Sequence, residues 1–221
     1  MTSRFGRRPR RRLGPTFVQR SAFSVAALSL GCASTIEIDP TLPSQSQGVI
    51  SRTPVGVYMP PGVLNEPYDI PLGSGIWPGT TYTFVPGEDL GRSLPELAKR
   101  YFPRAGIAES SLDKKWNYVL EYVPQRPMVE GSTLASNAAV DLAMRDTRSA
   151  REIESGLVQG VAEARPGKMT RFFLGRLSEE RALEESLSSA YTDLYRKMDA
   201  ALARAAAKEV GPGPERPYGR R

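Results

Sequence analysis

The chain has no histidine and one cysteine, Cys32. Those two counts restrict its chemistry sharply. Without imidazole there is no Ser-His-Asp or Cys-His arrangement, and the commonest metal ligand is missing. Zinc, haem and iron–sulfur centres would have a single thiol to bind. Gly73-Ser74-Gly75 is a fragment of a phosphate loop without the third glycine, the lysine and the following helix. Glu179-Glu180 and Glu184-Glu185 could in principle move protons, but on a helix with basic neighbours they read as a solvated face. Tyr118 and Tyr122 could stack on bases, yet no Arg/Lys stripe accompanies them and core packing explains them. The residues point to a protein that is not an enzyme and holds no metal and no cofactor. Cys32 can be a small buried apolar residue or a point of covalent modification. With no second cysteine, an internal disulfide is excluded.

The neighbourhood of Cys32 favours modification. Residues 1–31 contain seven arginines and no acid, and Ser21 to Leu30 is an uncharged, largely apolar stretch. A cationic start, a short apolar run and small residues at a cut site are the parts of a signal peptide. Ten residues are too few to span a bilayer, which takes about 20. Leu28-Ser29-Leu30-Gly31-Cys32 resembles the lipobox of bacterial lipoproteins. That resemblance implies cleavage before Cys32 and acyl chains on its thiol and new amine. Two or more acyl chains give stable anchoring without a membrane span. Ala33, rather than Asp, after the cysteine implies the outer membrane, facing the periplasm, over retention at the inner membrane. Arg11-Arg12 before the apolar stretch leaves twin-arginine export as an alternative route.

Charge follows the leader. The whole chain of 221 residues carries a net +6. Removing seven arginines leaves 23 basic and 24 acidic residues from position 32 onward, a net of −1. A near-neutral product has little field with which to attract nucleic acid. If the leader stayed, the alternative would be a basic cytoplasmic protein using those arginines on nucleic acid.

Elements follow from periodicity. Residues 32–54 are polar and proline-containing and read as a flexible tether. Val55 to Met59 is a first strand. Residues 60–80 hold five prolines and four glycines and read as a long loop carrying Tyr68 and Trp77. Thr81 to Val85 is a strand. Glu88 to Phe102 is a helix with Leu90, Leu94, Leu97, Ala98 and Tyr101 on one face, kinked or restarted at Pro95. A weak strand at Gly106 to Ser110 precedes three antiparallel strands: Trp116 to Val123, Leu134 to Arg145 and Glu152 to Ala162. Gly156 and Gly160 suggest a bulge or a close approach. Ser178 caps a long helix through Leu202. The expected fold is α+β: a mostly antiparallel sheet with two helices packed on one face, in a domain spanning 55–208, with 209–221 disordered by composition.

A lipobox followed by β, α, a β-meander and a long C-terminal helix resembles the small envelope lipoproteins that assist transport machines. These include LPS-assembly lipoproteins and the auxiliary lipoproteins of ABC-type transporters. The residues carrying the resemblance are Val55 to Tyr58, the helix Leu90 to Phe102, Val140-Asp141-Leu142 through Asp146, and the helix Glu180 to Leu202. It implies a non-catalytic protein on a lipid anchor that binds or positions a partner in an envelope protein complex. The contact surfaces expected are an exposed sheet edge and the 60–80 loop, with Tyr68 and Trp77 as aromatic anchors. A pilotin or scaffold of a secretion, pilus or flagellar complex is the alternative.

Overall fold

The computed structural model describes residues 34–44, 48–72, 80–130, 134–162 and 168–210, with 168–178 described by backbone. The leader 1–31, Cys32, Trp77 and the tail 211–221 lie outside the described residues. The elements in chain order are β1 (Ser34–Thr35), β2 (Val55–Tyr58), α1 (Pro61–Leu64), β3 (Tyr68–Leu72), β4 (Thr80–Phe84) and α2 (Pro86–Tyr101). They continue with β5 (Ala105–Ile107), β6 (Tyr118–Glu130), β7 (Ala135–Asp146), β8 (Glu152–Ala162) and α3 (Lys168–Val210).

The fold is α+β, as expected. Its main sheet is mixed, with order β5-β2-β6-β7-β8. The antiparallel meander β6-β7-β8 is the part that period-2 alternation announces. β2 joins it in parallel, and β5 joins β2 in parallel. On β7, Leu142 and Met144 with Ala138 and Val140 turn inward and are buried. α3 lies across β7 and β8, while α2 packs on β2, β5 and α3. The core between them includes Leu94, Leu97, Tyr122, Leu187, Tyr191, Leu194 and Leu202. Gly160 allows the approach of α3. A Cβ there would lie 2.0 Å from the Ala190 carbonyl oxygen and 2.4 Å from the Leu194 nitrogen.

Four expectations need correction. First, the 60–80 loop contains α1 and β3, and β3 pairs with β4 in a second sheet of order β1-β4-β3. Pro71 is tolerated because β3 is an edge strand there. Second, α2 starts at Pro86, at the first helical position where proline's missing N–H costs nothing. It runs unbroken through Pro95, since Leu90 and Leu94 before it and Leu97, Ala98 and Tyr101 after it are all fully buried. Third, α3 begins at Lys168, ten residues before Ser178. Ser178 lies inside the helix.

Fourth, residues 34–44 and 48–53 are not a free tether. β1 pairs in parallel with β4, Ser34 opposite Tyr82. Ile36 is 3% exposed, and Ile38 and Leu42 pack on the core. From there the segment follows α3. The Asp39 N–H donates to Ser188 Oγ (3.2 Å), and the Thr41 N–H donates to Thr192 Oγ1 (3.0 Å). Arg100 Nη1 donates to the Pro43 carbonyl (2.7 Å). Gly48 passes so near Tyr101 and Ala203 that a side chain there would strike the ring. The hydroxyls of Ser51 and Thr53 donate to the two carboxylate oxygens of Glu209. Ser188 to Glu209 is about 32 Å of helix. The segment is therefore a strap running parallel to α3. The Pro43 contact is supported from below: Arg100 pairs with the fully buried Asp199 (3.5 Å), which also accepts from the Tyr101 hydroxyl (2.8 Å).

Candidate partner-binding surface

Tyr68 opens β3 and pairs with Phe84. It is half-buried, and burial is the main cause raising its hydroxyl pKa, with Glu66 adding and Arg126 opposing. Arg126, from β6, donates to the neighbouring Asp69 carbonyl (3.0 Å). Tyr68 thus sits where the small sheet meets the main one, with part of its side chain exposed. The loop that carries Trp77 leaves from the other end of the same strand, beyond the Leu72–Thr80 pair. Four residues of strand separate Tyr68 from that pair, about 13 Å. Trp77 itself lies outside the described residues.

The edge of the main sheet at β8 is capped at one end by side chains of α3. β8 is an edge strand of eleven residues, which would ordinarily present open N–H and C=O groups. α3 supplies side chains to that edge. The Val161 N–H donates to Asp193 Oδ2 (3.2 Å), and Lys197 Nζ donates to the Gln159 carbonyl (2.8 Å). Asp193 and Lys197 also pair with each other at 2.8 Å. The Lys197 hydrogen bond, then the Val161 N–H and the charges of Lys197 and Arg196, hold the Asp193 carboxyl below its usual range against the effect of burial. Further along, Lys208 and Arg204 pair with Glu154. The opposite edge, β5, is three residues long.

The outer face of the meander is open. A depression of about 320 Å³ there is lined by Glu121, Val123, Asp141, Arg145, Ser155 and Leu157, among others. Arg145 bridges Glu121 (2.5 Å) and Glu152 (3.6 Å), and Gln125 donates to Asp141 (2.6 Å). These polar groups are mutually satisfied. Met128, Leu157 and Val161 stand exposed on this sheet at 66%, 51% and 54%. Periodicity alone gives these positions as outward-facing, but not that no helix covers them.

The carboxylates weighed for proton transfer are placed as surface groups. Glu185 pairs with Arg181 (3.3 Å) on α3. Glu184 is half-buried, and its carboxyl pKa is raised by burial and then by Glu180 and the strap's Glu37. Among the described residues no group of three or more His, Cys, Asp or Glu side chains could hold a metal ion. Among them, too, no helix is long and apolar enough to cross a membrane.

No protein-family model matches the chain, and no curated protein matches it. Solved structures show a distant likeness. A Xanthomonas campestris protein of the DUF330 family is 10% identical over 76% of this chain and 98% of its own, with a TM-score of 0.42. A minor lipoprotein of Acinetobacter baumannii is 12% identical over 70% and 93%, with a TM-score of 0.38. A putative lipoprotein of Caulobacter crescentus is 14% identical over 56% and 86%, with a TM-score of 0.37.

Proposed function

We propose that this protein is a lipid-anchored, non-catalytic component of a bacterial envelope that binds or positions a partner in a lipid- or LPS-transport assembly. Cys32 carries the acyl chains, and the domain faces the periplasm from the outer membrane. The observation that carries the reading is the single cysteine placed directly after a cationic and then apolar leader, in Leu28-Ser29-Leu30-Gly31-Cys32. The start of the fold agrees with it. Ser34, two residues on, is already paired in β1, so little chain separates the anchor from the domain. Tyr68 and Trp77 are the aromatic anchors for the partner.

Mass spectrometry of the protein from its native membrane tests the anchor. The expected product starts at an acylated Cys32 and incorporates labelled palmitate. Intact Met1 on a soluble protein overturns the reading. Tyr68→Ala and Trp77→Ala test the partner surface, each expected to reduce co-purification of envelope transport subunits. Unchanged co-purification removes those two residues from the interface.

A further inference from the structure

We propose that β8 accepts an additional strand from the partner: an extended, acidic segment that pairs with Ser155 to Gln159 and lays its carboxylates along α3. This rests on the partner-binding half of the proposed function and names the partner's chemistry. The lipid anchor does not enter it.

The backbone of β8 is open in the middle. β8 is the last strand of the main sheet, and among the described residues no strand pairs with its far side. From Glu154 to Ala162 its register with β7 is unbroken. Successive residues of an antiparallel ladder turn their N–H and C=O alternately toward the neighbouring strand and away from it. The Val161 N–H and the Gln159 carbonyl point away, since side chains of α3 hold both. The same alternation turns the N–H and C=O of Ser155 and Leu157, and the Gln159 N–H, to the open side. These are the groups with which an incoming strand pairs.

The two faces beside this edge differ. On the outer face Leu157 and Val161 lie opposite Asp141 and Asn137 and are exposed. They give apolar neighbours to every second residue of an added strand. On the other face, toward α3, a Cβ on Gly156 would meet nothing within 4 Å, so an incoming side chain has room. α3 runs antiparallel to β8, with Leu194 against Gly160 and Lys208 against Glu154. Along it Arg196, Lys197, Arg204 and Lys208 are all at least half exposed. The acids that answer them, Asp193 and Glu154, are mostly covered, and each is shared by two cations. Four cations against two acids leave the strip at +2.

Charge decides the occupant. A second copy paired edge to edge about a two-fold axis would bring its own α3 onto the same face. Basic strip would then meet basic strip, and like charges across an interface are costly. A segment with a carboxylate on every second residue meets the strip with opposite charge, and its remaining residues meet Leu157 and Val161. In strand addition the main chain supplies affinity and the alternate side chains supply selectivity.

The test is fluorescence anisotropy of the full-length protein in detergent with a labelled short peptide that alternates valine and glutamate. The comparisons are the same peptide with lysine for glutamate, and glutamate peptides N-methylated on one or the other set of alternate amides. The lysine peptide should bind roughly tenfold or more weakly than the glutamate peptide. Methylation of one set should abolish binding and methylation of the other should not, because a strand pairs through one side only. Arg196→Gln with Arg204→Gln leaves each acid its lysine and should weaken binding by roughly threefold to tenfold. Leu157→Pro removes an open N–H and no bond to β7, and should abolish binding with helicity retained. No binding of the glutamate peptide, or equal binding of the lysine peptide, overturns the acidic partner. Indifference to methylation of either set, or full binding by a folded Leu157→Pro protein, rules out strand pairing. A dimer in sedimentation that Leu157→Pro dissolves makes a second copy the occupant and defeats the proposal. Each of these failures leaves the proposed function standing. That reading falls separately, if the unsubstituted protein co-purifies no envelope transport subunits.

Discussion

Gly156 and Gly160 lie four residues apart on β8, and their surroundings are opposite. At Gly160 an added Cβ meets helix backbone, the Ala190 carbonyl and the Leu194 nitrogen, neither of which can rotate away. At Gly156 nothing lies within 4 Å. Gly160→Ala should therefore destabilise at or above the upper end of the roughly 1–3 kcal/mol typical of overpacking. Gly156→Ala should stabilise by about 0.5–1 kcal/mol by restricting the unfolded chain. Urea midpoints of the two variants check both signs. Asp193 offers a test by pH. Its folded-state pKa is depressed, so its contribution is present above the unfolded carboxyl pKa near 3.8 and is lost as pH falls through the folded value. Asp193→Asn should lower the urea midpoint at pH 7, and the deficit should shrink as pH falls below the unfolded carboxyl pKa near 3.8. A deficit that does not change with pH would mean that the charge does not close the β8 edge.

At the level of elements, local pattern reported what local pattern can. β7 and α3 were legible because each keeps one periodicity for ten residues or more, as the alternating burial along β7 shows. The strap was not legible. β1 is two residues long, and the partners of Asp39 and Thr41 lie about 150 positions downstream on α3. Polar residues and prolines look the same in a tether and in a strap held by its own backbone groups. Asp193 and Lys197 likewise read as a solvated helix face, because nothing nearby in sequence shows that the edge of β8 runs beside them. Of the site residues, Tyr68 lies at the start of β3, while Cys32 and Trp77 rest on sequence alone. Ile36 separates tether from strap most cleanly. Buried at 3% exposure, Ile36→Ala should cost about 2–4 kcal/mol in a denaturant titration. In a free tether the same change would cost nothing measurable.

The described part of the domain is tied together along α3, and this gives a prediction about cooperativity. Ile36, α2, α3 and both sheets contribute to one continuous core. The strap does not lie over that core as a separate layer. Arg100 from α2 reaches both Pro43 on the strap and Asp199 on α3, so three segments meet at one buried polar group. Asp199→Ala leaves the Tyr101 hydroxyl and the Arg100 guanidinium without that acceptor, at a cost of about 3–5 kcal/mol. Ile36 lies near the end of the strap where the chain enters. Ser188 and Asp199 are eleven helical residues apart, about 16 Å, and Ile36 precedes the Ser188 contact. Sites this far apart with no shared partner should add. The double variant should therefore lose the sum of the two single losses to within about 0.5 kcal/mol. Trp116 fluorescence and far-UV circular dichroism should still report one coincident transition. Two separated transitions in the Ile36→Ala variant, with the later one at the original midpoint, would mean that the strap detaches before the domain unfolds.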